Sequence, residues 1–369
     1  RAAIVAAGGK VYFSTRATGL EIRGGRVVGV RCEDDLYEGA AVILAAGHSA
    51  RDVYRMLHAQ GIAIEAKPFA MGVRVEHPQA LIDSIQYHMP ERGEWLPAAS
   101  YQLVTQVGSA AGRQNGGGAS RQGAGSARPG SRPGAGGRNA GRTGQTGGRG
   151  QYVGRDQTAG RGVYSFCMCP GGFIVPAMTD GREAVVNGMS PSGRNSVFAN
   201  SGIVTEVRPE DYAHLVEAHG PLAGLVLQEQ FEHAARAAAG PGLKAPAQRL
   251  TDFVTGRRST TLPQTSYNPG TVATEMHRWM PRFISGALRQ GFADFGRKMR
   301  GFLTEEAIIL GVESRTSSPV RIPRDPDTWM HPGTPGLFPS AEGAGYAGGI
   351  VSAAIDGERS AEKVAEYLK

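Results

Sequence analysis

The chain has 369 residues, with 40 Lys and Arg against 33 Asp and Glu for a net charge of +7, 40% hydrophobic residues and three cysteines. That length allows two domains with a sizeable core, and so few cysteines exclude a disulfide framework and point to a reducing, cytoplasmic setting. The longest apolar runs, such as 40–46 and 173–178, fall far short of the roughly 18 residues that a membrane span needs, which excludes a membrane helix. Stretch 2–7 after Arg1 is too short for a signal peptide, so the sequence reads as opening inside a longer chain.

Short β-rich runs come first at 11–14, 20–22 and 26–31, the last two joined by a Gly24-Gly25 hairpin turn. The apolar run 41–45 is predicted as a strand buried on both faces. It ends at Gly47-His48, after which Ser49 and Asp52 form a capping-box pattern for a helix that carries Val53, Met56 and Leu57 and stops at Gly61. The N-terminus of that helix therefore sits at the carboxyl end of a strand, where open α/β sheets place ligands. His48 is read as a structural donor rather than a catalytic group. The mixed strand 67–78 follows, with Arg74 and Glu76 on one face as a surface pair.

Residues 109–160 hold eight arginines and one acid, Asp156, which leaves the rest of the chain electrically balanced. This Gly- and Arg-rich stretch cannot bury enough apolar surface to offset its ordering entropy and is predicted to be disordered. Gly-Arg repeats attract RNA phosphates, but aromatic residues that would stack on bases are absent apart from Tyr152, so a nucleic-acid partner is the alternative rather than the leading expectation. Cys167 and Cys169 then alternate along a strand just before a Pro-Gly-Gly turn, a position that sets both thiols over a ligand or buries them as inert side chains. No second cysteine pair or H-x₃-H accompanies them, so no metal site is expected.

A polar loop covers 187–195, and helices are predicted from Pro221 to Gly240 and after Pro281, where Phe283, Ile284, Leu288, Phe292, Phe295 and Met299 recur at helical spacing. An apolar strand at 307–310 leads into the hydroxyl- and arginine-rich run 313–322, whose Arg315 suits an anion or an electron-rich ring. Residues 343–348 spell G-x-G-x-x-G after an apolar strand end at Leu337-Phe338. A Rossmann fingerprint opens a βαβ unit, whereas here a single helix follows, so this turn reads as the closing element of a nucleotide site.

The strings KPFAMGVRVEHPQALID (67–83), RGVYSFCMCPGGFIVPA (161–177), VVNGMSPSGRNSVFANS (185–201), ESRTSSPVRI (313–322) and GLFPSAEGAGYAGGIVSAAIDG (336–357) together resemble the bacterial family of uncharacterised FAD-dependent dehydrogenases, which are similar to glutathione-reductase-type flavoproteins. The resemblance implies an α/β fold: an FAD-binding domain of glutathione-reductase type built from separated segments, with an inserted α+β substrate domain. Residues 1–66 would be the first part of the FAD domain without its N-terminal βαβ unit, 67–305 the inserted domain with its disordered loop 109–160, and 306–369 the last FAD part. The implied activity is that of an FAD-dependent oxidoreductase on a small organic molecule, with NAD(P)H as reductant, here as a fragment of the full enzyme. Implied cofactor contacts are Gly47, Ser49, Glu342, Gly343, Ala344, Gly345, Tyr346, Gly348 and Gly349; on the substrate side stand Cys167, Cys169 and Arg315. Ala341 occupies a position where the family has glycine.

Overall fold

The strand Phe69–Pro78 is buried along nearly its whole length because it has a hydrogen-bonded neighbour on each edge and packed layers on each face. In the computed structural model, which describes residues 1–47, 49–108 and 160–369, this strand is central to a seven-stranded sheet. The order is Thr271–Ala273, Ala245–Arg249, Ile308–Glu313, Phe69–Pro78, Phe198–Val207, Arg161–Cys169, Val104–Val107, and every pairing except the first is antiparallel. Residues 1–107 and 161–369 form one compact unit.

The helix Arg282–Lys298 follows its predicted stripe: Ile284, Leu288, Phe292 and Phe295 have no exposed surface. Their rings and chains meet Phe302, whose ring contacts those of His77, Tyr101, Phe292 and Phe295 at 4.6 to 6.4 Å. Such an aromatic cluster fixes the helix on the sheet beyond what area burial alone supplies. The helix Ala223–Ala239 stops at Gly240, as its sequence predicts.

A second apolar core joins Leu20, Val27, Tyr54 and Leu57 to Val320, Leu337 and Ala344. Around it lie a three-stranded sheet of Gly19–Arg23, Arg26–Cys32 and Asp35–Glu38, and a parallel pair formed by Val42–Leu44 and Leu337–Pro339. Gly24 and Gly25 both take positive φ in the predicted hairpin turn. The C-terminal helix is Ile350–Tyr367.

Four expectations need correction. Residues 11–14 form no strand. The strand Val42–Leu44 has one partner only, and Ile43 is 41% exposed instead of buried on both faces. The capping box does not form: Ala50 caps the helix Arg51–Ala59 without a side-chain bond, and Asp52 is drawn instead to Arg16 at 2.7 Å. Arg74 and Glu76 are buried rather than a surface pair, since their strand is central. Arg74 instead pairs with Glu313 at 3.0 Å, and the Ser266 N–H donates to Glu76 at 2.8 Å. His48 and the predicted disorder of 109–160 lie outside the described residues, the last residue of that stretch excepted.

Candidate functional site

The two strands of the parallel pair run side by side and deliver Gly47 and Gly343 to the same place. A Cβ on Gly343 would lie 2.6 Å from the Gly47 carbonyl oxygen, closer than any side chain tolerates, so the segments meet only because this residue is glycine. Tyr54 holds the approach from below: its hydroxyl donates to the Gly343 carbonyl at 2.9 Å and lies 3.1 Å from Ser318 Oγ. Burial pushes that phenol up to about 12, so it remains a donor at neutral pH.

The predicted contact residues divide in two. Gly343, Ala344 and Gly345 are turned into the second core, and the Tyr346 hydroxyl accepts the Arg324 N–H at 2.9 Å while its ring lies 3.9 Å from the Arg324 guanidinium. Gly348 and Gly349 are exposed, Gly348 with open space where a side chain would be and Gly349 with Ser352 Oγ 3.8 Å from that position. They lead into the Ile350–Tyr367 helix, whose first turn has no side-chain cap and no acidic residue. Arg324 grips Asp356 of that helix at 2.7 and 2.8 Å, and Asp356 also accepts the Ala341 N–H at 2.6 Å. Burial alone would raise the Asp356 carboxyl, but Arg324 and the Ala341 N–H outweigh it and hold it below its ordinary value.

Ser49 borders a buried ionic network. Arg51 reaches Glu183 at 3.0 Å and Glu232 at 2.7 Å, and Arg315 reaches the same two carboxylates at 2.5 and 3.0 Å. A weaker contact of 3.4 Å connects Arg315 Nη1 to Ser49 Oγ. Burial works to raise Glu183, yet the Thr179 N–H, Arg315 and Arg51 overcome it and keep the carboxyl low. Two cations thus face two anions, and Arg315 is a structural tie from the end of Ile308–Glu313 to the Arg51–Ala59 helix rather than an open anion receptor.

The cysteines do not simply alternate. Strand pairing steps from Cys169 opposite Asn200 to Phe166 opposite Gly202, so Cys167 and Met168 share one partner residue in a bulge. Cys167 takes φ +50° there and is exposed, whereas Cys169 is buried. The Cys169 thiol donates to the Cys167 carbonyl at 3.6 Å, and its closeness to the Cys167 sulfur, with Arg74 nearby, outweighs burial and holds Cys167 below the ordinary thiol value while Cys169 is pushed up. A lowered thiol gains thiolate character, and with it nucleophilicity. Arg74 Nη2 also donates to the Cys167 carbonyl at 2.9 Å, which fixes the bulge from beneath.

Sequence reasoning did not find Tyr54, Arg51, Glu183, Glu232 or Asp356. Tyr54 stands three residues before Leu57 on the same buried stripe and was open to detection by periodicity. The ionic partners come from segments far apart in the chain, and no local pattern joins them.

FAD suits the donors at this turn. Open space at Gly47 and Gly348, an exposed Gly349 and an uncapped helix start fit a large, flat, anionic group that needs close backbone approach and amide donors.

A family described as "FAD-dependent protein, C-terminal domain-like" matches residues 68–114 and 145–316. That span holds the seven-stranded sheet but neither Gly47 nor the 342–349 turn. An uncharacterised protein of Clostridium beijerinckii is 34% identical over 361 residues, which is 97% of this chain and 58% of that protein. The chain therefore spans a little over half the length of this relative. On the strength of the family match, which takes in the larger share of its residues, the chain belongs to the FAD-dependent proteins that carry this C-terminal domain.

Proposed function

We propose that the chain is the cofactor-closing and substrate-binding part of an FAD-dependent oxidoreductase of glutathione-reductase type that acts on a small organic molecule. In this reading residues 1–66 and the end of the chain belong to the FAD-binding domain and the stretch from 67 to an inserted substrate domain, whose end moves from 305 to past Glu313 because Ile308–Glu313 is hydrogen-bonded within its sheet. The observation that carries it is the meeting of Gly47 and Gly343. Two distant segments pair in parallel and bring bare backbone together just past the carboxyl ends of their strands, where α/β units bind nucleotides.

The residues that would hold FAD are Gly47, Ser49, Gly348 and Gly349, on a turn opened by Glu342 and shaped by Gly343, Ala344, Gly345 and Tyr346. When bound, FAD supplies a reversible acceptor for hydride or two electrons, with NAD(P)H as the proposed donor. The chain contributes the positive end of the Ile350–Tyr367 helix, which stabilises negative charge, and the Arg51–Arg315 network, which holds Ser49 in place. Ile43, Ile350 and Val351 are exposed beside a sheet of only two strands, too small to be stable alone, and this supports placing the chain within a longer enzyme.

The test is reconstitution with FAD followed by removal of free cofactor. Within the longer enzyme the wild-type sequence is expected to retain flavin absorbance and to oxidise NAD(P)H, and Gly343→Val to bind FAD at least about tenfold more weakly, a loss of roughly 1.4 kcal/mol. A Gly343→Val variant that binds as well as wild type sinks the site. A longer enzyme that takes up no flavin sinks the reading.

A further inference from the structure

A cavity of about 1150 Å³ opens between the end of the Arg282–Lys298 helix, residues 100–103 and the strand Arg161–Cys169. It lies wholly within the family-matched part of the chain and apart from the residues of the glycine turn. Its charged lining among the described residues is basic only: His88, Arg297, Lys298 and Arg300, with no carboxylate. Arg297 is paired with Asp294, but the Lys298 ammonium meets only the Val104 carbonyl. Cations at a helix C-terminus compensate its dipole, which is the ordinary reason for three of them to sit there. Two further observations point to a ligand.

One is Tyr101, which lines the cavity and whose buried hydroxyl has no hydrogen-bond partner. Its polar neighbour Ser201 donates to backbone carbonyls and makes no hydrogen bond of normal geometry to the phenol. The other is Cys167. The bulge turns this residue, alone of the two cysteines, into the same cavity, in a left-handed backbone conformation that non-glycine residues disfavour. The Arg74 bond to its carbonyl fixes this conformation, and the outcome is a thiol exposed beside cations.

We propose that this cavity binds a small organic anion, held through its acidic oxygens by Arg300 and Lys298, with its reactive end set against the Cys167 sulfur. Carboxylates and phosphate esters share the required chemistry. As the substrate pocket of the enzyme the cavity rests on the flavoprotein reading; as an anion site it stands without flavin, and so does its test.

Iodoacetate and iodoacetamide alkylate a thiolate by the same step: sulfur attacks the methylene carbon, the S–C bond forms, the C–I bond breaks and iodide leaves. The reagents differ only in charge. Rates at Cys167 are read by mass spectrometry of its peptide, in the full chain without added flavin, and compared with N-acetylcysteine. The ratio of iodoacetate to iodoacetamide rates is expected to be about tenfold higher at Cys167 than for the free thiol, because a basic cleft concentrates anions. Raising the salt, or the surface substitution Arg300→Gln, should lower that ratio about threefold or more while leaving the iodoacetamide rate unchanged. A ratio equal to that of the free thiol, a ratio unmoved by Arg300→Gln and salt, or a Cys167 that neither reagent modifies each overturns the proposal. Flavin uptake by a chain that fails this test would leave the cofactor reading intact, and anion selectivity in a chain that takes up no flavin would leave this one intact.

Discussion

The seven-stranded sheet and the glycine turn treat buried polarity in opposite ways. In the sheet, Arg74, Glu76 and His77 follow one another on a central strand, are almost wholly enclosed, and find partners in Glu313, Ser266 and the Phe302 carbonyl. At the end of the turn, Gly348 and Gly349 are exposed, the helix start has no side-chain cap, and Ile350 is 91% exposed. An enclosed polar group must be satisfied by the chain itself, because no water reaches it. An open one can be left for something that binds. The difference marks where the chain closes on its own polar groups and where the end of the glycine turn is left open.

The largest effects should come from breaking the enclosed side. Phe302→Ala removes the ring at the centre of the aromatic cluster and should destabilise the chain by about 3–5 kcal/mol in urea unfolding. Ile43→Thr or Val351→Ser, equally apolar positions on the open side, should change stability by no more than about 0.5 kcal/mol. Equal losses at Phe302 and Val351 would erase the contrast. Arg315→Ala comes next. It leaves Glu183 and Glu232 with Arg51 as their one buried cation and should cost about 3 kcal/mol, since an uncompensated buried carboxylate is more expensive than the ion pair is favourable. Adding Glu183→Gln to Arg315→Ala should restore part of that loss, a coupling that a double-mutant cycle reads directly.

Much of the enclosed half was legible in the sequence. The stripe from Ile284 to Met299, the Pro281 and Gly240 boundaries and the apolar strand at 307–310 all follow from spacing, because a buried face imposes its own period. Arg74 and Glu76 were misread for a reason of the same kind. Two charges two residues apart signal a solvent face, and only the sheet order, with partners on both edges, turns that face inward. Arg315 was legible as a cation with a task but not as one already satisfied, since Glu183 and Glu232 lie in remote segments. The bulge that separates Cys167 from Cys169 likewise depends on register with Phe198–Val207, which alternation within one strand does not contain.

A smaller effect arises from pH. Burial brings His77 down to about 4, against a partial opposing pull from the Phe302 carbonyl, so the native ring stays neutral while an unfolded one takes up a proton near 6.5. A depressed histidine contributes stability that is complete above pH 6.5 and is lost as pH falls toward 4, because the unfolded chain binds the proton first. From pH 7.5 to pH 5 the wild type should lose about 2 kcal/mol from this group, read by urea melts at the two values. The depressed carboxyls of Glu183 and Asp356 act lower, below their ordinary values of 4.5 and 3.8, whereas His277, lowered by burial, adds to the loss as pH falls and Glu76, raised by burial, opposes it. His77→Gln should reduce the dependence between pH 7.5 and 5. If its slope equals that of wild type, the sheet's enclosed histidine is not the source.

The smallest expected effect sits on the open side, at Ala341. Its φ of +62° lies in the left-handed region, and its N–H is held by Asp356 at 2.6 Å, so the conformation is imposed by the turn and not chosen by the residue. Relieving the methyl with Ala341→Gly gains about 1 kcal/mol in the folded state and returns roughly 0.4–1 kcal/mol to the freer unfolded chain. The net change in stability should therefore lie between zero and about 0.6 kcal/mol in favour of glycine, measured by thermal unfolding. Ala341→Val, whose branched side chain tolerates positive φ far less well, should move the other way by more than 1 kcal/mol, as order-of-magnitude strain predicts. A destabilised Ala341→Gly would mean that the methyl makes a contact outweighing its strain. The turn would then be packed on its outer side as the sheet is, and the contrast between the two regions would fail at this residue.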